Sequence, residues 1–335
     1  MIQIELWDED LDWDDQMDLD GVNSDDKRLD LIYDTVEQLW QGDGVSGSYP
    51  DYSIAGGEGD GGDDGWSEEK DGKIKFTIYT DAEISPSQQQ ELAETYSPVL
   101  YFHRDESYFP VDIGSFLSQS TLVKSGPNIH SPTPDDLAEN PSSSNYLDLW
   151  GNFENVYNPT VYSRVFTATD NKIVIQYWFF YLYNPGTEGL TAHEGDWEMI
   201  QIICDEEGNP QKAGYSQHYG GAKKSWSNVE KVDGTHPKVY VALGGHASYF
   251  ESGSTSFDDH TGNGLILASS DYSLNIITND NWLNFRGDWG EDSGSVPGPV
   301  FRHTKSYGPG DWISQWSTTK SHMWIGPLYW HSVIG

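Results

Sequence analysis

The run Lys172-Ile173-Val174-Ile175-Gln176-Tyr177-Trp178-Phe179-Phe180-Tyr181-Leu182-Tyr183 is apolar and aromatic almost without interruption. A strand of that composition has no face to leave in water. It requires cover on both sides and belongs at the centre of a layered β domain. Thr160 to Phe166, Trp197 to Cys204, Val239 to Leu243 and Leu265 to Ala268 read as further strands. Turns at Glu207-Gly208-Asn209-Pro210 and Asp233-Gly234-Thr235-His236-Pro237 separate them at hairpin spacing. Ser125 to Asn145, rich in Ser, Pro and Asn, reads as a long surface loop. The sequence therefore predicts a mainly β protein: a β-sandwich core with long loops and a few short helices.

A different composition precedes this core. Met1 to Trp7 and Lys73 to Tyr79 alternate apolar and polar residues, as half-buried strands do. Between them lie an Asp-rich loop, a segment expected to be helical from Asp30 to Trp40, and a glycine-acid stretch from Gly56 to Gly65 expected to be loop. Ser85-Pro86-Ser87-Gln88 then has the form of a helix start: a Ser cap, Pro at the first position and Gln three residues on. The division expected is a small acidic β unit over 1–82 and a β-sandwich domain over 83–335.

The chain carries 54 acidic and 18 basic side chains, a net charge of −36. Residues 1–82 hold 24 acids against 5 bases, and the remainder 30 against 13. Acid spread this widely, with few lysines, is what a surface adapted to molar salt requires, because screening there reduces the mutual repulsion of carboxylates. Cation binding is the competing explanation. Such a field repels phosphate, so no nucleic acid is expected as partner. No run of 18 apolar residues predicts a transmembrane segment, and no basic region followed by an apolar one opens the chain as a signal peptide would. The single cysteine, Cys204, falls in an apolar run and reads as a buried, inert thiol.

Chemistry concentrates in His193-Glu194-Gly195-Asp196-Trp197-Glu198. With Gly195 read as a tight turn and Trp197 as the start of a strand, Asp196 and Glu198 share one face and Trp197 takes the other. His193 can fold over the same point. One imidazole and two carboxylates form a mixed donor set suited to a divalent cation; the plainer reading is a polar turn. The segment Val239 to Tyr249 delivers His246 just past a strand end and two glycines, where sandwiches build sites and where surface histidines also occur. His218 and His236 are candidates for an outer shell or for ligand contact. Trp7-Asp8-Glu9-Asp10, with Asp14 and Asp15, offers carboxylates two apart on a loop, a second candidate cation site through Asp8, Asp10, Asp14 and Asp15. Trp150, Trp226, Trp282, Trp289 and Trp312 could line a sugar-binding face, although a β core explains most of them. No G-x-S-x-G elbow, H-E-x-x-H motif, P-loop or dinucleotide fingerprint is present, so no catalytic residue is assigned.

Several phrases together resemble the family related to vacuolar protein sorting-associated protein 62. These are Tyr96 to Phe102 followed by Tyr108-Phe109-Pro110, then Pro159 to Tyr162, Gln176 to Tyr181, His193 to Glu198, Tyr215 to His218, and His236 through Tyr249. A more distant similarity is to the necrosis- and ethylene-inducing-like proteins, secreted cytolysins with a metal held by His, Asp and Glu at H-x-x-D-x-E spacing. That resemblance implies a metal on His193, Asp196 and Glu198, with His246 in the place of a later histidine. That family also closes its aromatic strand on an aspartate, where this chain has Asn184, and Gly195 stands in place of a second histidine.

The expected function is metal-dependent recognition of a polar head group or glycan at a surface, non-catalytic, with calcium, magnesium or manganese as the ion. One alternative is a structural or interaction component of a cell-surface or viral assembly, in which the metal staples loops and the partners are proteins. Another is a metal-dependent hydrolase. An extracellular or surface-associated setting in high salt accompanies the first two.

Overall fold

The computed structural model describes, before residue 84, only the backbones of six strands, and then residues 84–299 apart from 151–155, 169–170, 187–191, 218–219, 257 and 292–297. The chain divides into two compact units, Met1–Thr80 and Asp81–Gly335. In the first, β1 (Ile2–Ile4), β2 (Leu29–Asp34) and β3 (Leu39–Gly42) form one antiparallel sheet. A second is built from β4 (Val45–Ser48), β5 (Asp51–Gly57) and β6 (Gly72–Thr77). The helix expected from Asp30 to Trp40 is thus replaced by two strands. Leu29, Leu31 and Tyr33 recur at every second residue, a β period that outweighs the helical one. Asp8, Asp10, Asp14 and Asp15 lie outside the described residues, as does Trp312.

The second unit opens with α1 (Pro86–Thr95), whose Ser85 cap accepts a hydrogen bond from the Gln88 amide. There follow β7 (Val99–Tyr101), α2 (Ile113–Leu117), β8 (Ser120–Val123), β9 (Ile129–His130), α3 (Pro134–Glu139) and β10 (Tyr146–Leu149). The loop expected from Ser125 to Asn145 therefore contains a short strand and a helix. Thr133 and Asp136 cap that helix reciprocally, a signal present in the sequence but hidden by its polar composition. The long strands come next: β11 (Thr160–Thr167), β12 (Ile173–Asn184), β13 (His193–Cys204), β14 (Pro210–Gln217) and β15 (Gly220–Ser225). The last are short: β16 (Lys231–Val232), β17 (His236–Val241), β18 (Ser248–Tyr249), β19 (Ile266–Leu267) and β20 (Ser273–Ile276).

The aromatic run takes the interior position its composition demands. The central sheet has the order β15-β14-β13-β12-β11-β20, with β12 paired to β13 on one side and β11 on the other. One of its faces packs on a second sheet, β16-β17-β7-β19. Tyr177, Phe179, Tyr181, Ile200 and Ile202 meet Leu100, Val239, Val241 and Leu267 between them. The opposite face carries Trp178, Phe180, Trp197 and Met199. These are covered by α2, α3, the small sheet β10-β8-β9 and the segment Trp282 to Trp289. The sandwich is thus backed by a third layer. Trp178 and Trp197 are both fully buried in that layer, and Trp197 stacks on Trp282 with ring centroids 5.3 Å apart. Trp282 and Trp289 are core residues, while Trp150 is exposed.

Candidate metal centre

The motif His193 to Glu198 lies inside a strand rather than at a turn. β13 begins at His193 and pairs with β12 from Asn184↔His193 through Val174↔Ile203. Gly195 is still the pivot. Its φ of +58° lies in the left-handed region, and a β-carbon there would fall 1.7 Å from the Trp289 carbonyl oxygen. This break in the extended geometry separates neighbours that simple alternation would place together. Glu194 turns to accept a hydrogen bond from the Leu149 amide at 3.0 Å, whereas His193 Nε2 comes within 3.7 Å of Asp196 Oδ1. Beyond the glycine, ordinary alternation holds. Asp196 faces Tyr181 across the strand pair and Glu198 faces Phe179, both on the face opposite Trp197.

His246 reaches the same point from a turn after β17. Gly244 has φ +68°, and His246 itself has φ +53°, an uncommon conformation for a residue with a β-carbon. Its imidazole is fully buried, stacked on Tyr181 at 3.8 Å with the planes 3° apart. Nδ1 lies 3.0 Å from Asp196 Oδ2, which also accepts a hydrogen bond from Asn184 Nδ2 at 3.1 Å. Glu198 accepts one from Ser216 Oγ at 2.6 Å, and that oxygen in turn accepts from the Met199 amide. The structure therefore brings His193, Asp196, His246 and Asn184 together, with Glu198 one pleat further along the same face.

Three residues that sequence reasoning missed complete the neighbourhood. Tyr181 has the sequence signature of a core residue, and its hydroxyl is buried without a hydrogen-bond partner. Ser216, in the Ser216-Gln217-His218 stretch, donates to Glu198. Glu106, from the loop after β7, places Oε1 3.8 Å from His246 Nε2 with its side chain 2% exposed. The only available signal for it was an acid lying between the phrases Tyr101-Phe102 and Tyr108-Phe109. Of the two expected outer residues, one falls outside the described residues and the other stands apart. His218 lies outside the described residues. His236 stands at the far end of β17 from the His246 turn, and its Nδ1 is 2.8 Å from the Ser97 carbonyl oxygen, a tie between β17 and the end of α1.

The electrostatics follow from burial. Desolvation alone would depress the His246 pKa, yet the hydrogen bond with Asp196 and the charges of Glu106 and Asp196 hold it up at about 9. Glu106 is pulled the other way: burial raises its pKa, but the nearby His246 and the backbone hydrogen bonds from Gly244 and Tyr108 lower it further. Burial, followed by the nearby charges of Glu106, Glu198 and Asp196, pushes the Tyr181 hydroxyl well above its ordinary range. Orphaned polar atoms at His246 Nε2 and Tyr181, set among acidic side chains, fit a cation site. A separate trio, Asp148, Glu194 and Glu291, holds ligand oxygens within 4.8 Å of one another, with Glu291 exposed. It forms on the other side of the Gly195 pivot.

No curated protein sequence matches this chain. Among solved structures, NLPPya in complex with glucosamine is 18% identical, with 62% of this chain and 82% of that one covered and a TM-score of 0.36. Necrosis and Ethylene inducing Protein 2, from the causal agent of cocoa's Witches Broom disease, is 17% identical over 59% of this chain and 76% of that one, with a TM-score of 0.33. The non-toxic HaNLP3 protein is 13% identical over 59% and 79%, with a TM-score of 0.33. Residues 180–293, which span the end of β12, the His193–Glu198 motif and His246, match the family model of vacuolar protein sorting-associated protein 62.

Proposed function

We propose that the domain over 83–335 recognises a polar head group or a glycan at a surface through a divalent cation, without catalysing a reaction on it. The observation that supports this is the meeting of Glu106 and Asp196 at the imidazole of His246, with Glu198 one pleat further along the same face, all of them buried side chains. Buried carboxyl groups beside two imidazoles make a dry, acidic setting of the kind that suits a bound cation. His193, Asp196 and Glu198 would hold the ion, and an oxygen-rich set with one imidazole suits calcium, magnesium or manganese better than zinc. When bound, the ion would supply open coordination positions for the oxygens of a hydroxylated or anionic ligand.

Calorimetric titration of chelated protein with each ion tests the first half. Wild type should bind one equivalent, and the Asp196→Asn, Glu198→Gln double variant should not. Equal binding by both would remove the site. Glycan arrays and head-group vesicles, probed in molar KCl with and without the ion, test the second half. Amino sugars are suitable first probes. A second reading is favoured by the burial of Asp196 and Glu198, each 2% exposed. There the ion is a staple between β13 and the His246 turn, in a structural component of a larger assembly. It is distinguished by an ion whose removal lowers the melting temperature and changes no ligand interaction.

A further inference from the structure

We infer that Glu106 is a positioning residue of this site: from the loop after β7 it pins the turn after β17 and sets the orientation in which His246 meets Asp196. The inference rests on the cation reading only for its effect on affinity. Its geometric part stands separately. Both oxygens of Glu106 are committed. Oε2 accepts from the Gly244 amide at 2.8 Å, and Oε1 accepts from the Ser107 and Tyr108 amides, both at 2.9 Å. The carboxylate is therefore aimed by its own loop and grips the turn two residues before His246. Its Oε1 then faces the Nε2 edge of the imidazole at 3.8 Å, too long for a hydrogen bond but close for charge.

The opposite edge of the ring meets Asp196, so acidic groups from distant segments hold the imidazole at both nitrogens while Tyr181 covers its face. A ring flip would move both nitrogens away from these oxygens, so the pair selects one orientation. The left-handed backbone at His246 is strained for a residue with a β-carbon and persists only where surroundings over-determine it. A second tie reinforces the first. His103 Nδ1 accepts from the Asp105 amide, and its Nε2 lies 3.2 Å from Asp259 Oδ2. The Asp259 carbonyl accepts from the Leu243 amide at 2.9 Å. The Glu106 loop, the His246 turn and the Asp259 segment thus form one knot. Glu106 lies across the ring from Asp196, so it acts through His246 rather than beside the other acids.

A double-mutant cycle on the full chain, with manganese as the calorimetric probe, tests this. Glu106→Gln keeps size but replaces one acceptor oxygen with a donor, which must then face either the Gly244 amide or the Ser107 and Tyr108 pair. It should weaken manganese binding by about tenfold, and should cost nothing further in a His246→Ala background. The ring-proton resonances of His246, displaced by stacking on Tyr181, should move toward unstacked values in Glu106→Gln. Equal losses with and without His246 would overturn the inference, as would unchanged affinity with unchanged ring resonances. If wild type binds no manganese, the cation reading fails. The ring resonances alone then decide whether Glu106 holds His246: movement supports it and constancy refutes it.

Discussion

At the scale of single residues, Gly195 carries two constraints at once. Its positive φ disfavours any side chain, and the Trp289 carbonyl occupies the space a β-carbon would need. Gly195→Ala should therefore lower stability by more than 1–2 kcal/mol on the order of backbone-strain costs, and it should also separate His193 from Asp196. Urea unfolding together with calcium titration measures both, and a variant that keeps full stability would contradict the close approach. Cys204 gives a second residue-level test. Burial, with a smaller contribution from Asp205, pushes its thiol up to about 12, so the native thiol stays protonated far above the ordinary range. A thiol reagent at pH 8 should leave native protein unlabelled and label it fully in denaturant. Above about pH 9 the unfolded chain releases this proton while the native one retains it, so its contribution to stability declines as pH rises toward 12.

Elements were legible in the sequence where composition left one solution. β12 could only be an interior strand, and its neighbours β11 and β13 follow from alternation on either side. α1 was marked by Ser85, and Ser85→Ala should cost about 1 kcal/mol, readable as a small shift in urea midpoint. The interior prediction is larger. Trp197 is fully buried against Phe180, Trp282 and Trp289, so Trp197→Ala should cost about 3–5 kcal/mol. What the sequence concealed has a physical cause in each instance. The phase change at Gly195 depends on Trp289, which no local pattern reveals. Glu106 lies 138 residues from Gly244, and only tertiary packing brings the two together. The segment over Asp30–Trp40 had apolar residues compatible with both periods, and pairing with β1 and β3 selects the strand. Asp196 and His246 were each legible as candidates from local signals, strand alternation and a strand-end glycine pair, but only the family resemblance implied that they meet.

On the scale of the whole molecule, the unbalanced charge is the feature that most needs explaining. A net charge of −36 on 335 residues, against 18 basic groups, is self-repulsion that grows as the chain compacts. The described basic groups are mostly engaged nearby: Lys224 with Glu251, Lys238 with Glu230, and Lys231 with the Trp226 and Val229 carbonyls. Local pairing of this kind is worth little individually at an exposed surface and cannot offset a net excess of acid. Two remedies remain: screening by salt and binding of cations at specific points. They predict different titrations. Screening acts over a Debye length of about 8 Å at physiological ionic strength and about 3 Å at 1 M, and it is indifferent to which monovalent salt supplies it. If it dominates, the melting temperature should rise continuously from about 0.1 M to beyond 1 M KCl, in chelated and calcium-loaded protein alike. Specific binding instead saturates, so a low concentration of calcium should raise the melting temperature to a plateau at fixed ionic strength. The Asp196→Asn, Glu198→Gln variant should lose that plateau while keeping the rise with KCl. A flat response to KCl in both proteins would assign the stabilisation of this acidic chain to bound cations alone.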